Sequence, residues 1–238
     1  MVAQRQYGGR VCIDAQFMSS PEWSALEPPE TLILEKAVVC RKHELGDVIF
    51  YEGDACIGTY FIKSGLVGIR KADMDGDSTL LKIAQPGDTL GYRPLLAEQN
   101  HRASAEVLKP CHICFIDRST VRTLMASNPT LGLKFLKRAA VELGEAEERF
   151  HESVTLSVRA RFAHLLIALQ QKYGHAGEDG SLVLELPVSR ADLAAMLGVR
   201  RESVSRVIHE LETEGLTHFI DRHVQMPDLD SLMDEFTT

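Results

Sequence analysis

No run of apolar residues in this chain reaches the ~18 that a helix needs to cross a bilayer, so no membrane span is expected. The first residues, Met1 to Gly9, are polar, include Arg5 and lack an apolar core, which argues against a secretory signal. No phosphate-binding loop, dinucleotide fingerprint or nucleophilic triad occurs, so nothing by motif points to an enzyme. Internal repeats and low-complexity tracts are missing as well. Cysteine is scarce: five in 238 residues. An odd count without a signal segment reads as free thiols in a reducing cytoplasm rather than as disulfides. Positive charge is also short. The net charge is −8, and from Thr155 onward eight Lys/Arg face thirteen Asp/Glu. A global field of that sign repels phosphate, so any contact with nucleic acid must come from a local basic cluster and oriented backbone dipoles.

What is present is an ordinary globular composition, 45% hydrophobic and 25% charged, long enough for two domains with separate cores. Residues 22 to 38 read as one or two short helical turns. From Leu45 to Ile116 the texture is β-rich: Val48–Tyr51, Tyr60–Ile62, Leu66–Ile69, Leu80–Ile83, Ala103–Val107 and His112–Ile116 are separated by Gly46-Asp47, Ser64-Gly65, Asp75-Gly76 and Pro86-Gly87-Asp88. Short strands at even spacing with turn residues between them predict an antiparallel sandwich or barrel. Asp75-Gly76 is the best hairpin signal among them.

From Ser119 the pattern is helical. Ser127-Asn128-Pro129 is a start signal. Beyond it Leu133, Leu136, Ala140, Leu143, Phe150 and Val154 alternate at spacings of three and four, with Glu147 interrupting. A helix of ~25 residues is ~38 Å long, too long to hide on a small barrel. The stripe fits a parallel dimer seam or the buried face of an ordinary amphipathic helix. A second helix spans Val158 to Tyr173, and Leu182–Leu186 is a short strand closed by Pro187.

The most specific information lies between Val188 and Met226. Ser189 caps a helix with Asp192 near its positive end. Leu193, Ala194 and Leu197 face inward, and Gly198 supplies the left-handed residue that a tight turn between helices needs. A second helix opens at Arg200-Arg201-Glu202-Ser203 and turns Val204, Val207, Ile208 and Leu211 inward. Leu216–Phe219 and His223–Met226 can pair as a wing around Asp221-Arg222. With the apolar stripe buried, Arg201, Glu202, Ser205 and Arg206 face outward. Arginine matches guanine edges with two donors, glutamate accepts from the cytosine amino group, and serine reaches base or phosphate. Helix N-terminal side chains in the major groove are how such motifs dock. The competing reading is a helical hairpin with a solvated charged face.

A barrel, a long helix and then Ser189-Arg190-Ala191-Asp192-Leu193-Ala194, Leu197-Gly198 and Arg201-Glu202-Ser203-Val204-Ser205-Arg206 resemble the family of the cyclic-AMP receptor protein and the fumarate-nitrate reduction regulator (CRP/FNR), nearer its non-cyclic-AMP members. The resemblance covers about Glu22 to Met226, and the barrel glycines Gly46, Gly53, Gly65, Gly87 and Gly91 agree with it. It implies an α+β fold: a cyclic-nucleotide-binding-type antiparallel β-barrel (jelly roll) over 22–127, a dimerisation helix over 128–154, and a winged helix-turn-helix over 155–238. It implies a symmetric homodimer on palindromic double-stranded DNA, working with RNA polymerase, with Leu133, Leu136, Ala140, Leu143 and Phe150 at the interface. Arg201, Glu202 and Arg206 become the base readers, with Ser205, Arg200 and Ser189 beside them. The expected site is a TTGA- or TGTGA-like inverted repeat, and activation and repression both remain open.

Regarding effectors, the cyclic-nucleotide branch of the family pairs Gly-Glu with a later Arg-Ser or Arg-Thr. Here the positions read Gly91-Tyr92 and Arg102-Ala103-Ser104, so the carboxylate is gone and the hydroxyl is displaced by one residue. Unmatched polar groups cost affinity steeply, and cyclic AMP is not expected. Arg102 is left to hold another small anion, such as an aromatic carboxylate, or to serve as a structural ion-pair partner. Tyr92, Arg93, Arg102 and Ser104 are the effector-pocket candidates. In the oxygen-sensing branch an iron–sulfur cluster takes four thiolates. Cys12 and Cys114 fall near two of those positions, the rest are absent, and the cluster is not expected. Haem stays open, with His43, His101 or His112 as ligands. The remaining expectation is an unidentified effector: redox, gas or small organic anion. Rival readings are a metabolite-binding module acting through a protein partner with a degenerate helix-turn-helix, and a cupin-like metal enzyme, for which the strands offer only His112 and Glu106.

Overall fold

The computed structural model describes residues 13–72, 78–177 and 182–234. The chain divides into two compact units, residues 1–72 with 81–143, and residues 73–80 with 144–238.

The first unit begins with α1 (Ala15–Met18), capped by Asp14, and a 3-10 turn at Trp23–Ala25. Helix α2 (Pro28–Ala37) follows. Two prolines open it, where missing N–H groups cost nothing, and the Glu27 N–H donates to Glu30 at 2.9 Å. Strands β1 (Val39–His43), β2 (Val48–Phe50), β3 (Gly58–Ala72), β4 (Ser78–Ala84), β5 (Thr89–Leu90) and β6 (Ser104–Asp117) form one antiparallel sheet, with α3 (Tyr92–Ala97) inserted before β6. Its main path runs β1-β6-β3-β4, with β2 on β6 and β5 on β3. The α+β class and the antiparallel sheet are as expected, but the strand divisions are not. Tyr60–Ile62 and Leu66–Ile69 belong to one fifteen-residue strand, and His112–Ile116 continues from the Ser104–Val107 part of the other run in the fourteen-residue β6, with Ala103 just before it. Ser64-Gly65 is a bulge rather than a turn: the β3/β6 register shifts around it and Gly65 has φ +86°. A left-handed glycine kinks a strand as readily as it reverses one. The Asp75-Gly76 hairpin lies outside the described residues.

Two long strands packed this closely leave no room at Gly58. A Cβ there would stand 2.2 Å from the Ile116 carbonyl oxygen and 2.6 Å from the Phe115 ring. Gly58→Ala is expected to destabilise the protein by about 2 kcal/mol or more. In helix α5 (Pro129–Thr155), Gly132 has nothing within 4 Å of its Cβ position. Gly132→Ala is expected to stabilise by ~0.5–1 kcal/mol. Urea unfolding of both variants checks the pair, and equal signs would contradict the packing described.

One core of this unit is aromatic. Phe17 lies 4.2 Å from Phe61 between ring centroids, and Trp23 meets Phe135 edge-on at 5.6 Å. The buried indole donates to Thr89 Oγ1 at 3.0 Å. Helix α4 (Arg118–Ser127) is capped by Asp117, which accepts from the Ser119 and Thr120 amides. Those bonds, with the two hydroxyls, outweigh burial and hold the Asp117 carboxyl at about 2. Asn128 closes α4 and accepts from the Leu131 amide at the start of α5. Within α5, Leu131 and Phe135 are buried in the core.

Free thiols were the expectation, and the structure corrects it. Cys40 and Cys114 face each other in the β1/β6 register and form a disulfide. Sequence spacing cannot show a pairing between residues 74 positions apart, and two cysteines at opposed strand positions are within bonding reach. Cys56 and Cys111 are free and buried, and burial pushes the Cys111 thiol up to about 11.

The second unit contains α6 (Val158–Tyr173), capped by Ser157, and β7 (Gly174–Ala176). After β8 (Leu182–Glu185) come α7 (Arg190–Leu197), α8 (Arg201–Thr213), β9 (His218–Ile220), β10 (His223–Met226) and α9 (Leu229–Asp234). The strands make a small antiparallel sheet in the order β7-β8-β10-β9. Phe162, Leu166, Leu193, Val204 and Leu211 are buried in this unit.

Candidate nucleic-acid interface and effector cavity

Helix α7 starts with a reciprocal cap. The Asp192 amide donates to Ser189 Oγ at 3.1 Å, and the Ser189 amide donates to Asp192 Oδ2 at 3.0 Å. The Ser189 hydroxyl also donates to that carboxylate at 2.7 Å, so this candidate contact is committed first to the cap. Gly198 ends the helix at φ +64°, and the Val199 amide returns to the Ala194 carbonyl. Arg161 of α6 donates to the Leu197 carbonyl at 3.0 Å and fixes the turn from behind.

Helix α8 is two-faced. Val204, Val207, Ile208 and Leu211 are buried, while Arg201, Glu202, Ser205 and Arg206 are exposed, together with the N-cap residue Arg200. His209 shares the exposed face one turn further on, and the sequence reading missed it; its spacing from Ser205 was the available signal. Five arginines of this unit sort into two sets. Arg159 pairs with Glu214 and Arg161 holds a backbone carbonyl. Arg200, Arg201 and Arg206 have no carboxylate partner among the described residues, and Arg200 makes no side-chain cap bond. Arg200 and Arg201 open the helix and Arg206 follows in its second turn, so three uncommitted guanidinium groups share an end that can attract anions within an acidic unit. The β9/β10 hairpin turns at Asp221, which has φ +53°, and leaves Arg222 exposed at its tip. Arg190 lies over the Phe219 ring at 5.4 Å.

On α5 the proposed seam residues Leu133, Leu136, Leu143 and Phe150 are between 60% and 71% exposed, and Ala140 is exposed with them. An ordinary amphipathic helix would bury this stripe. Instead the helix buries a different face, through Leu131 and Phe135.

In the first unit a cavity of about 500 Å³ brings Tyr92, Arg93 and Arg102 together. Ser104 is not among its lining residues; its hydroxyl accepts from the Glu52 amide at 2.9 Å. Tyr92 is 3% exposed, 5.5 Å from Phe135 between ring centroids and beneath Arg138 at 5.5 Å. Its ring is therefore part of the packed core while its residue also lines the cavity. Burial, then the Glu142 charge, pushes its titration far up. Glu142 accepts from Lys82 at 2.6 Å and Arg93 stands 3.6 Å away. Burial opposes its ionisation, but Lys82, Tyr92 and Arg138 together hold its carboxyl at about 2. Arg102 is exposed and has no ion-pair partner among the described residues. Among the three histidines considered for haem, only His101 lines the cavity. His43 pairs instead with Asp47 at 3.7 Å, and His112 sits within β6. No group of three or more His, Cys, Asp or Glu suited to a metal occurs among the described residues. Cys12 lies outside them. Cys114, its proposed companion, is bonded to Cys40, so it offers no thiolate and the residues present do not fit an iron–sulfur cluster. No helix among the described residues is long and apolar enough to cross a membrane.

Comparison with known proteins agrees along the chain. Residues 40–128 match the cyclic nucleotide-binding domain family, and residues 160–235 match the Crp-like helix-turn-helix domain family. The anaerobic regulatory protein of Bacillus subtilis is 28% identical over 185 residues, 77% of each chain. The nitrogen fixation regulation protein FixK of Azorhizobium caulinodans is 28% identical over 179 residues, 75% of this chain and 69% of that one. Among solved structures, FixK2 of Bradyrhizobium japonicum superposes with a TM-score of 0.74 at 24% identity, covering 83% of this chain and 96% of that one. A CRP/FNR-family transcriptional regulator of Thermus thermophilus gives 0.70 at 26% identity, over 84% and 99%. The chain belongs to the CRP/FNR family of DNA-binding transcription regulators.

Proposed function

We propose that this regulator acts in the cytoplasm as a homodimer, joined along α5, that reads a TTGA- or TGTGA-like inverted repeat and works with RNA polymerase. Its parts are a sensing domain over 22–127, a dimerisation helix over 128–154 and a DNA-binding domain over 155–238. Arg201, Glu202, Ser205 and Arg206 read bases, while Arg200 and Ser189 lie against the backbone. Catalysis has no part in this reading. The effector is something other than cyclic AMP, as the burial of Tyr92 and the engaged Ser104 hydroxyl support. A redox, gas or small-anion signal fits the sensing domain.

The observation that carries the proposal is the outer face of α8: uncommitted arginines at its start, opposite a fully buried apolar stripe. Selection from randomised duplexes is the test. An inverted repeat with half-sites about one helical turn apart is expected. A non-palindromic selected site would defeat the dimeric reading, and failure to bind duplex DNA at any salt concentration would favour a module acting through a protein partner. A charge in the seam tests the dimer directly. Leu143→Asp is expected to give monomers by analytical ultracentrifugation and to remove tight binding to the full repeat, because burying an unpaired carboxylate costs several kcal/mol. A dimer that persists would place the interface elsewhere.

A further inference from the structure

The cavity beside Tyr92 is unevenly charged. Lys71, Lys82, Arg93 and Arg102 line it against one carboxylate, Glu142, in a chain whose net charge is −8. Three of these cations are already answered. Lys71 pairs with Glu52 at 2.6 Å, and Lys82 and Arg93 both face Glu142. Arg102 is the one lining cation without a carboxylate among the described residues.

A second, independent feature stands next to it. His101 is 4% exposed and stacks on Phe50 with centroids 3.8 Å apart, and its Nε2 has no hydrogen-bond partner. Burial lowers its titration, which favours the neutral ring. A buried polar nitrogen left unmatched is costly, and a ligand group that reaches it removes the cost. Much of the remaining wall is apolar, from Ile69, Leu81, Leu90, Pro94 and Ala97.

We infer that this cavity takes a small organic monoanion with an apolar body, its acidic group on Arg102 and a hydrogen-bonding substituent on His101 Nε2, and that Glu142 limits the ligand to one charge. The inference rests on reading the domain as a sensor for an effector other than cyclic AMP. The charge limit follows from the pairing. A second acidic group would reach an end of the cavity where Glu142 already neutralises Lys82 and Arg93, and it would meet a like charge. Glu142 is thus an internal counter-ion that stands where the second acid of a dianion would bind. Because Glu142 belongs to α5, the specificity element sits on the same helix as the seam.

Trp23 is the single tryptophan, and its indole bonds Thr89 of the cavity wall, so it can report occupancy. The probe is the monoanionic dye 1-anilinonaphthalene-8-sulfonate, followed by energy transfer from Trp23 and displaced in turn by benzoate, benzamide, isophthalate and cyclic AMP. Benzoate is expected to displace the dye at least tenfold more effectively than its neutral isostere benzamide or the dianion isophthalate. Arg102→Gln, an exposed change that leaves no charge stranded, is expected to weaken benzoate tenfold or more. Glu142→Gln frees Lys82 and Arg93 and is expected to reverse the order of benzoate and isophthalate. Absence of transfer from Trp23, equal displacement by benzoate and benzamide, an unchanged order in Glu142→Gln, or better displacement by cyclic AMP would each overturn the inference. If the selected DNA is still bound while these tests fail, only the cavity assignment is lost. If the ligand order holds while no DNA is selected, the loss falls on the DNA reading.

Discussion

Arg206→Ala is expected to abolish sequence-specific DNA binding while leaving the dimer intact. Arg206 sits in the second turn of α8, exposed, without a carboxylate partner among the described residues, and on the face opposite Val204 and Val207. Its removal therefore costs the fold almost nothing. A two-pronged arginine contact to guanine carries about 1–3 kcal/mol of discrimination. A symmetric dimer loses two such contacts, which corresponds to a fall of roughly 30-fold to 10⁴-fold in affinity for the full site. Binding to non-specific DNA is expected to fall far less, because Arg200 and Arg201 still contribute charge to the phosphate backbone. The check is a competition titration of specific against random duplex, with sedimentation to confirm the dimer. Unchanged sequence preference in the variant would mean that Arg206 only solvates the helix. Substitution at Arg159, by contrast, would test stability, since that guanidinium is tied to Glu214.

The DNA-binding element was legible because its determinants are local. A cap at Ser189, a left-handed glycine at Gly198 and an apolar period of three and four each act within a few residues, and the structure places them in one turn and two helices. The helix from Val158 to Tyr173 was legible for the same reason. What sequence reading missed is set by register. Whether Ser64-Gly65 reverses the chain or kinks it depends on β6, a strand far along the chain. The Cys40–Cys114 bond depends on β1 lying opposite the same strand. The cavity was half legible. Gly91-Tyr92 and Arg102 marked the departure from a nucleotide cassette, but Glu142 and His101 join the same wall only where α5 and the segment before β6 close on one space. Glu22 was read as the edge of a helical turn, and nothing near it in sequence shows that it is buried.

Glu22 is the basis for the largest effect expected on stability. It is 1% exposed, and its Oε1 accepts from Arg138 at 2.9 Å while its Oε2 has no hydrogen-bond partner. Arg138 also meets Asp88 at 2.5 Å and Glu142 at 3.2 Å, and it is itself only 14% exposed. Burial disfavours the guanidinium charge, yet Asp88 and Glu22 more than compensate and push its titration up. Arg138→Met keeps most of the stem and deletes the charge. It leaves Glu22 buried with no countercharge, for which the expected cost is about 3–5 kcal/mol by denaturant unfolding. The cost lies in the stranded carboxylate rather than in the lost attraction, which makes it separable. Glu22→Gln alone is expected to cost only about 1 kcal/mol, since Arg138 retains Asp88 and Glu142. Arg138→Met introduced on top of Glu22→Gln should then cost at least about 2 kcal/mol less than in the wild-type chain. Additive costs would show that Glu22 does not depend on Arg138, and the buried network would have to be redrawn around Asp88. Coupling of the expected sign would mean that α5 is held to the first unit by charge as well as by Leu131 and Phe135. Any event that draws Glu142 away from Arg138 would then loosen the helix that carries the proposed seam.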